Sequence, residues 1–104
     1  MEVVISKSTN KNKKFDAFVD GKKISFGAVG YEDFSTHKDP ERKDRYLARH
    51  RKNEKWGIDG IKTPGFYSRW VLWNMPTIES SIADLNKKYK DVKFKYVKKQ
   101  IKIK

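Results

Sequence analysis

"KFDAFVDGKKISFG", residues 14–27, decides how the chain begins to fold. Asp20-Gly21 separates two runs of alternating polarity. Asp-Gly between such runs marks a two-residue hairpin loop, because both loop positions need positive φ. With that loop, Ala17 falls opposite Ile24 and Phe15 opposite Phe26. These four residues and Val19 line one face. Asp16, Lys23 and Ser25 line the other, where Phe18 is the one misfit. Upstream, "EVVISK" (residues 2–7) reads as a short strand and "STNKNKK" as a polar turn. The chain is therefore expected to open with a three-strand antiparallel meander over residues 1–30.

Gly27 and Gly30 bracket the exit from the meander. Two glycines at this spacing could cradle a phosphate. However, no lysine and Ser/Thr of a phosphate-binding loop accompany them, and the GxGxxG spacing is absent. Turn glycines with positive φ are the favoured reading.

"HKDPERKDRYLARHRKNEKW", residues 37–56, begins a helix well. Thr36 or Asp39 can cap it, Pro40 suits the first helical position, and Glu41 adds a favourable first-turn charge. Lys38, Arg42, Arg45, Arg49 and Lys52 repeat at helical spacing and would form one basic stripe. Tyr46, Leu47 and His50 lie mainly off it and can pack inward. The helix is expected to end near Asn53. "GIDGIKTPG" follows as a loop, with Thr63-Pro64 as the next helix start. "GFYSRWVLWN" is apolar on nearly every face, which places it in a core or between partners. Thr77 caps a third helix whose Ile78, Ile82, Leu85 and Tyr89 form an inward stripe. The tail "DVKFKYVKKQIKIK" alternates as a basic strand. Its apolar phase switches between Tyr96 and Val97, where a bulge would restore one apolar face. Lysines along this strand could also guard a sheet edge.

A length of 104 residues suits one domain with one modest core. The expected organisation is a β-meander over 1–30, a helical segment over 38–90 and a basic C-terminal strand over 91–104. Three Trp, five Tyr and six Phe supply rings for packing that a disordered basic tail would lack. With no cysteine, disulfides, zinc-thiolate sites and thiol catalysis are excluded. No apolar run approaches the roughly 18–20 residues of a membrane span, and "MEVVISKSTN" lacks the build of a signal peptide. Net charge is +12. Its largest blocks are +4 over residues 38–55 and +8 over residues 87–104, on either side of a nearly neutral, Trp-rich middle. Such blocks favour a polyanion as partner.

Catalytic constellations find little support. His37 and His50 are the only imidazoles, and their separation does not match a metalloprotease zinc pair. His37 beside Asp33 and Asp39 is the better of two weak metal candidates. Asp91-Val92-Lys93 matches half of a nuclease signature, a tripeptide that a lysine-rich chain produces by chance. No nucleophile, base and stabiliser occur together, so neither cofactor, metal nor catalytic residue is expected. For binding, Arg and Lys on a helical stripe can neutralise successive phosphates. Tyr31, Phe34, Trp56 and Tyr67, near loops, could stack on unpaired bases, while Trp70 and Trp73 read as core. No helix-turn-helix, zinc-finger, RNP or KH signature appears, so nothing supports sequence-specific reading.

One pattern is distinctive as a string. It runs Phe26-Gly27-Ala28, Gly30-Tyr31, Asp33-Phe34, then His37-Lys38-Asp39-Pro40-Glu41-Arg42-Lys43, Arg45-Tyr46 and Arg49-His50. Gly65-Phe66-Tyr67-Ser68-Arg69-Trp70, Leu72-Trp73-Asn74 and Pro76-Thr77 complete it. Over residues 24–85 the chain resembles a family of small basic proteins encoded by large nucleocytoplasmic DNA viruses of mimivirus and phycodnavirus type. The family carries no assigned activity, so no residue roles transfer. The resemblance implies a viral context, in host cytoplasm or viral factory, with a place in the virion also open.

The combined expectation is an α+β domain in which a small antiparallel sheet packs with about three helices around Phe66, Trp70, Trp73, Ile82 and Leu85. The C-terminal strand would extend the sheet. The expected function is non-enzymatic, largely sequence-independent nucleic-acid binding, with DNA favoured over RNA. Its contacts would be Lys38, Arg42, Arg45, Arg49, Lys52, Arg69, Lys93 and Lys95. The alternatives are a minor virion component docking on an acidic viral protein through segment 66–73 and, third, a nuclease-like enzyme.

Overall fold

A computed structural model describes residues 1–99 of the chain. One sheet has the order β3-β2-β1-β4, built from β1 (Glu2–Lys7), β2 (Lys13–Val19), β3 (Lys22–Ala28) and β4 (Lys93–Val97). The meander is as the sequence implies. Val19 pairs with Lys22 across the loop, Ala17 with Ile24, and Phe15 with Phe26. Asp20 and Gly21 adopt φ of 48° and 73°, the conformation a tight hairpin loop requires.

The C-terminal strand does join the sheet, but it runs parallel to β1, with Val3 opposite Phe94 and Ile5 opposite Tyr96. The sheet is mixed, not purely antiparallel. A parallel neighbour needs a crossover, and the helices between β3 and β4 provide it. Asn86 clips this edge strand to the last helix. Its amide donates to the Phe94 carbonyl at 2.9 Å and its carbonyl accepts from the Phe94 N–H at 2.8 Å. Those are the groups another strand would seek at an open edge. Ile101 and Ile103, which motivated a bulge after Tyr96, lie outside the described residues.

Four helices fill the interval: α1 (Phe34–His37), α2 (Pro40–His50), α3 (Pro64–Tyr67) and α4 (Ile78–Lys88), with a 3₁₀ turn at Ile58–Gly60. Asp39 caps α2 by accepting from the Glu41 N–H at 3.0 Å, with Pro40 in the first turn. Thr63 accepts from the Phe66 N–H to start α3, and Thr77 and Ser80 cap α4 reciprocally. α3 runs directly into a π-turn over Ser68–Leu72, closed by the Trp73 N–H donating to the Ser68 carbonyl at 3.0 Å.

The core lies between the helices and one sheet face. Val3, Ile5, Ala17, Val19, Ile24 and Phe26 meet Phe66, Tyr67, Val71, Leu72, Ile82 and Leu85. Trp70 and Trp73 pack against this cluster half-buried. The apolar segment 66–73 is thus mostly consumed by the core. The other face of the sheet holds a buried carboxylate. Asp16 accepts from the hydroxyls of Ser8 and Ser25, both at 2.6 Å, and from the Thr9 N–H at 3.2 Å. Charge-assisted hydrogen bonds of this kind offset the cost of burying it.

Candidate functional site

Beside α2 the surface folds in to form a cleft of about 720 Å³. One wall is α2, contributing Arg42, Arg45, Tyr46, Arg49 and His50. The opposite wall is the open end of the β2–β3 hairpin, with Lys13, Lys14, Phe26, Gly27 and Ala28. Between them lie Gly65, Ser68, Leu72 and Trp73 from α3 and the π-turn. Spacings of three and four residues place the three arginines on one side of α2.

The π-turn shapes this floor. A π-turn carries more residues per turn than an α-helix, and such turns recur at functional sites. Here Ser68 and Trp73 are the two residues its hydrogen bond joins, and both border the cleft. At Gly27 φ is 78°, and a Cβ there would lie 2.8 Å from Leu72 Cδ1. The glycine therefore permits a close approach of the hairpin to the π-turn.

Four rings form a column behind the arginines. His37 lies 5.3 Å from Trp73, Trp73 is 4.3 Å from Tyr46, and Tyr46 is 4.4 Å from His50, centroid to centroid. Both histidines thus serve packing. His37 Nδ1 also accepts from the Asp39 N–H at 2.9 Å. Burial, reinforced by the Glu54 carboxylate, pushes the Tyr46 phenol well above its usual range.

Each acid at the cleft has a basic neighbour. Lys14 Nζ sits 2.6 Å from Asp33 and also donates to the Tyr31 carbonyl. Arg42 lies 3.5 Å from Glu32, and His50 Nδ1 lies 3.8 Å from Glu54. Arg45 and Arg49 are exposed and make no ion pair or hydrogen bond with another described side chain.

The expected contacts do not form a single surface. Arg42, Arg45 and Arg49 meet at the cleft. Lys38 is not helical. It is the left-handed cap of α1, at φ 57°, and its ammonium donates to the Ser35 carbonyl. Lys52 lies in the turn beyond α2, which ends three residues earlier than Asn53. Arg69 is turned inward. Its guanidinium lies 4.2 Å from Trp70 and 5.6 Å from Trp56, and it donates to the Trp73 carbonyl at 2.8 Å. Burial lowers its pKa, as it does that of Lys43, whose ammonium donates to the Asn74 carbonyl. Lys93 and Lys95 are exposed on β4. They alternate with Phe94, which faces the core, so they project from the opposite side of the sheet. Of the rings considered for stacking, Tyr67 and Phe34 are buried, Trp56 is half-buried and Tyr31 is exposed. Lys13, Lys14, Ser68 and Trp73 join the cleft without any periodicity that announces them, because chain segments distant in sequence bring them there.

Among the described residues no group of three or more His, Cys, Asp or Glu is placed to hold a metal ion, and no helix is long and apolar enough to cross a membrane. Residues 3–50 match a family of unknown function (DUF5754). The match runs from β1 through α2, so it contains both the hairpin wall and the arginine wall of the cleft. No curated protein and no solved structure matches the chain.

Proposed function

We propose that the protein binds nucleic acid without catalysis and largely without regard to sequence, through Arg42, Arg45 and Arg49 of α2. The observation that carries this reading is the cleft wall, where three guanidinium groups face two lysines and two of the three lack an acidic partner. Guanidinium groups match phosphate oxygens in fork geometry. Contacts of this kind position a protein on the backbone and carry no sequence information. DNA is favoured over RNA, and the resemblance over residues 24–85 supports genome handling or packaging in a viral setting. Docking on an acidic protein through segment 66–73 is weaker, because the core takes most of that segment's apolar surface.

A salt titration of DNA binding tests the proposal. The logarithm of affinity should fall linearly with the logarithm of salt, with a slope near −0.9 per phosphate contacted, so about −3 for three arginines. Arg42→Glu/Arg45→Glu/Arg49→Glu should abolish binding while the circular dichroism spectrum is kept. Intact binding in that variant would remove α2 from the interface, and no binding at low salt would overturn the function.

A further inference from the structure

The arginines line a concavity, and that constrains what they hold. A helix that reads duplex DNA lies in the major groove with its contact side chains standing clear of the protein. Here the contact side of α2 is faced by the β2–β3 hairpin across the cleft. The cleft's volume falls within the roughly 300–1,000 Å³ usual for small-ligand sites. Its lining has two characters. The rim carries Arg45 and Arg49, while the half-buried rings of Trp73 and His50 offer aromatic surface that a bare phosphate would not use. Ser68 also lines the cleft and adds a hydroxyl to it.

We propose that the cleft takes one unpaired nucleotide of a single-stranded nucleic acid, its phosphate on Arg45 and Arg49 and its base against the accessible ring surface of Trp73 and His50. This inference rests on the reading of α2 as a nucleic-acid contact and narrows it from polyanions in general to an unpaired strand. Sites of this class combine a cationic track with aromatic platforms, and base contacts with aromatic rings tolerate any sequence because every base has a π-face. Both halves are present here, on side chains held by the same helix and the same π-turn.

The experiment compares a labelled oligothymidine with a duplex of the same length by fluorescence anisotropy at low salt. The intact protein should bind the single strand at least about tenfold more tightly. Ala28 lines the cleft, is exposed and lies outside the core. Ala28→Trp should therefore fill the cleft and reduce the preference for single strand over duplex to near parity. On the intact protein, oligothymidine should shift the backbone amide resonances of Ser68, Leu72 and Trp73, a readout independent of whether Ala28→Trp folds. Equal or tighter duplex binding, an unaffected Ala28→Trp, or no shifts at the π-turn would overturn the cleft proposal while the phosphate reading of α2 stands. Failure to bind either oligonucleotide would overturn both.

Discussion

Tyr46 lies flat on Trp73, with ring centroids 4.3 Å apart and planes within 2° of parallel. This contact joins α2 to the π-turn and so sets the width of the cleft from within. Tyr46→Ala removes a buried ring at the centre of the column and should destabilise the fold by about 3–5 kcal/mol, lowering Tm by more than about 10 °C. Tyr46→Phe keeps the ring and should cost under about 1 kcal/mol. Thermal melts of the two variants decide it, and equal stabilities would mean that the stack contributes nothing.

Lys14 and Asp33 tie β2 to the start of α1. The Asp33 side chain is 4% exposed and the Lys14 side chain 22%, so the pair is largely shielded from water. Lys14→Met should cost about 2–3 kcal/mol, mainly because it strands a buried carboxylate. Asp33→Asn in the Lys14→Met background should recover part of that loss. A double-mutant cycle by urea denaturation measures the coupling, and strictly additive effects would show none.

Alkaline pH should unfold the protein early. Burial raises the phenol pKa of Tyr46, Tyr67, Tyr89 and Tyr96 above the ordinary value near 10. Above that value the unfolded chain releases phenolic protons that the folded chain keeps, so stability is whole below pH 10 and falls as pH rises beyond it. Lys43, held below its ordinary value mainly by burial, acts in the opposite direction. The denaturation midpoint should therefore drop between about pH 8 and about pH 11. The phenolate absorbance of these tyrosines should appear together with unfolding. Phenolate formation at these four positions in a chain that remains folded, read in a Tyr31→Phe background, would contradict the burial assigned to them.

Two glycines should separate cleanly on substitution. A Cβ on Gly60 would lie 2.0 Å from the Lys55 carbonyl oxygen, a backbone atom that cannot step aside. Gly60→Ala should cost about 3 kcal/mol by overpacking. A Cβ on Gly65 would instead meet the Glu54 carboxylate, the far end of a flexible side chain. Gly65→Ala should cost under about 1 kcal/mol, with Glu54 displaced and its contact with His50 lost. Chemical denaturation ranks the two, and a reversed order would refute the local geometry.

Much of this fold is legible in the sequence because its signals are local. Asp20-Gly21 dictates the hairpin and its register. Asp39-Pro40, Thr63-Pro64 and Thr77 each mark a helix start through their own chemistry. What escapes is set by distant partners. The parallel pairing of β4 with β1 depends on a crossover that no short window contains. Segment 64–73 has an α-helical pattern, yet its last turn is a π-turn, a change of one hydrogen bond that leaves composition untouched. The basic stripe loses Lys38 because residues 34–37 form a separate helical turn that ends on it. Arg69 is drawn inward by Trp56 and Trp70, which a helical wheel cannot bring together. Asp16 reads as one of the polar positions on the sheet face opposite Ala17, but the Ser8–Thr9 turn folds back and buries it.

The strand order also has a temporal side. β1 is made first, and its partner β4 begins roughly 85 residues later. At about 5–20 residues per second, β1 waits about 4–17 s on the ribosome with one flank unpaired. The hairpin can cover its other flank early, since β2 follows within a few residues. Closure of the sheet is therefore a late event in the birth of the molecule, and the nascent chain is most open to wrong strand partners during that wait.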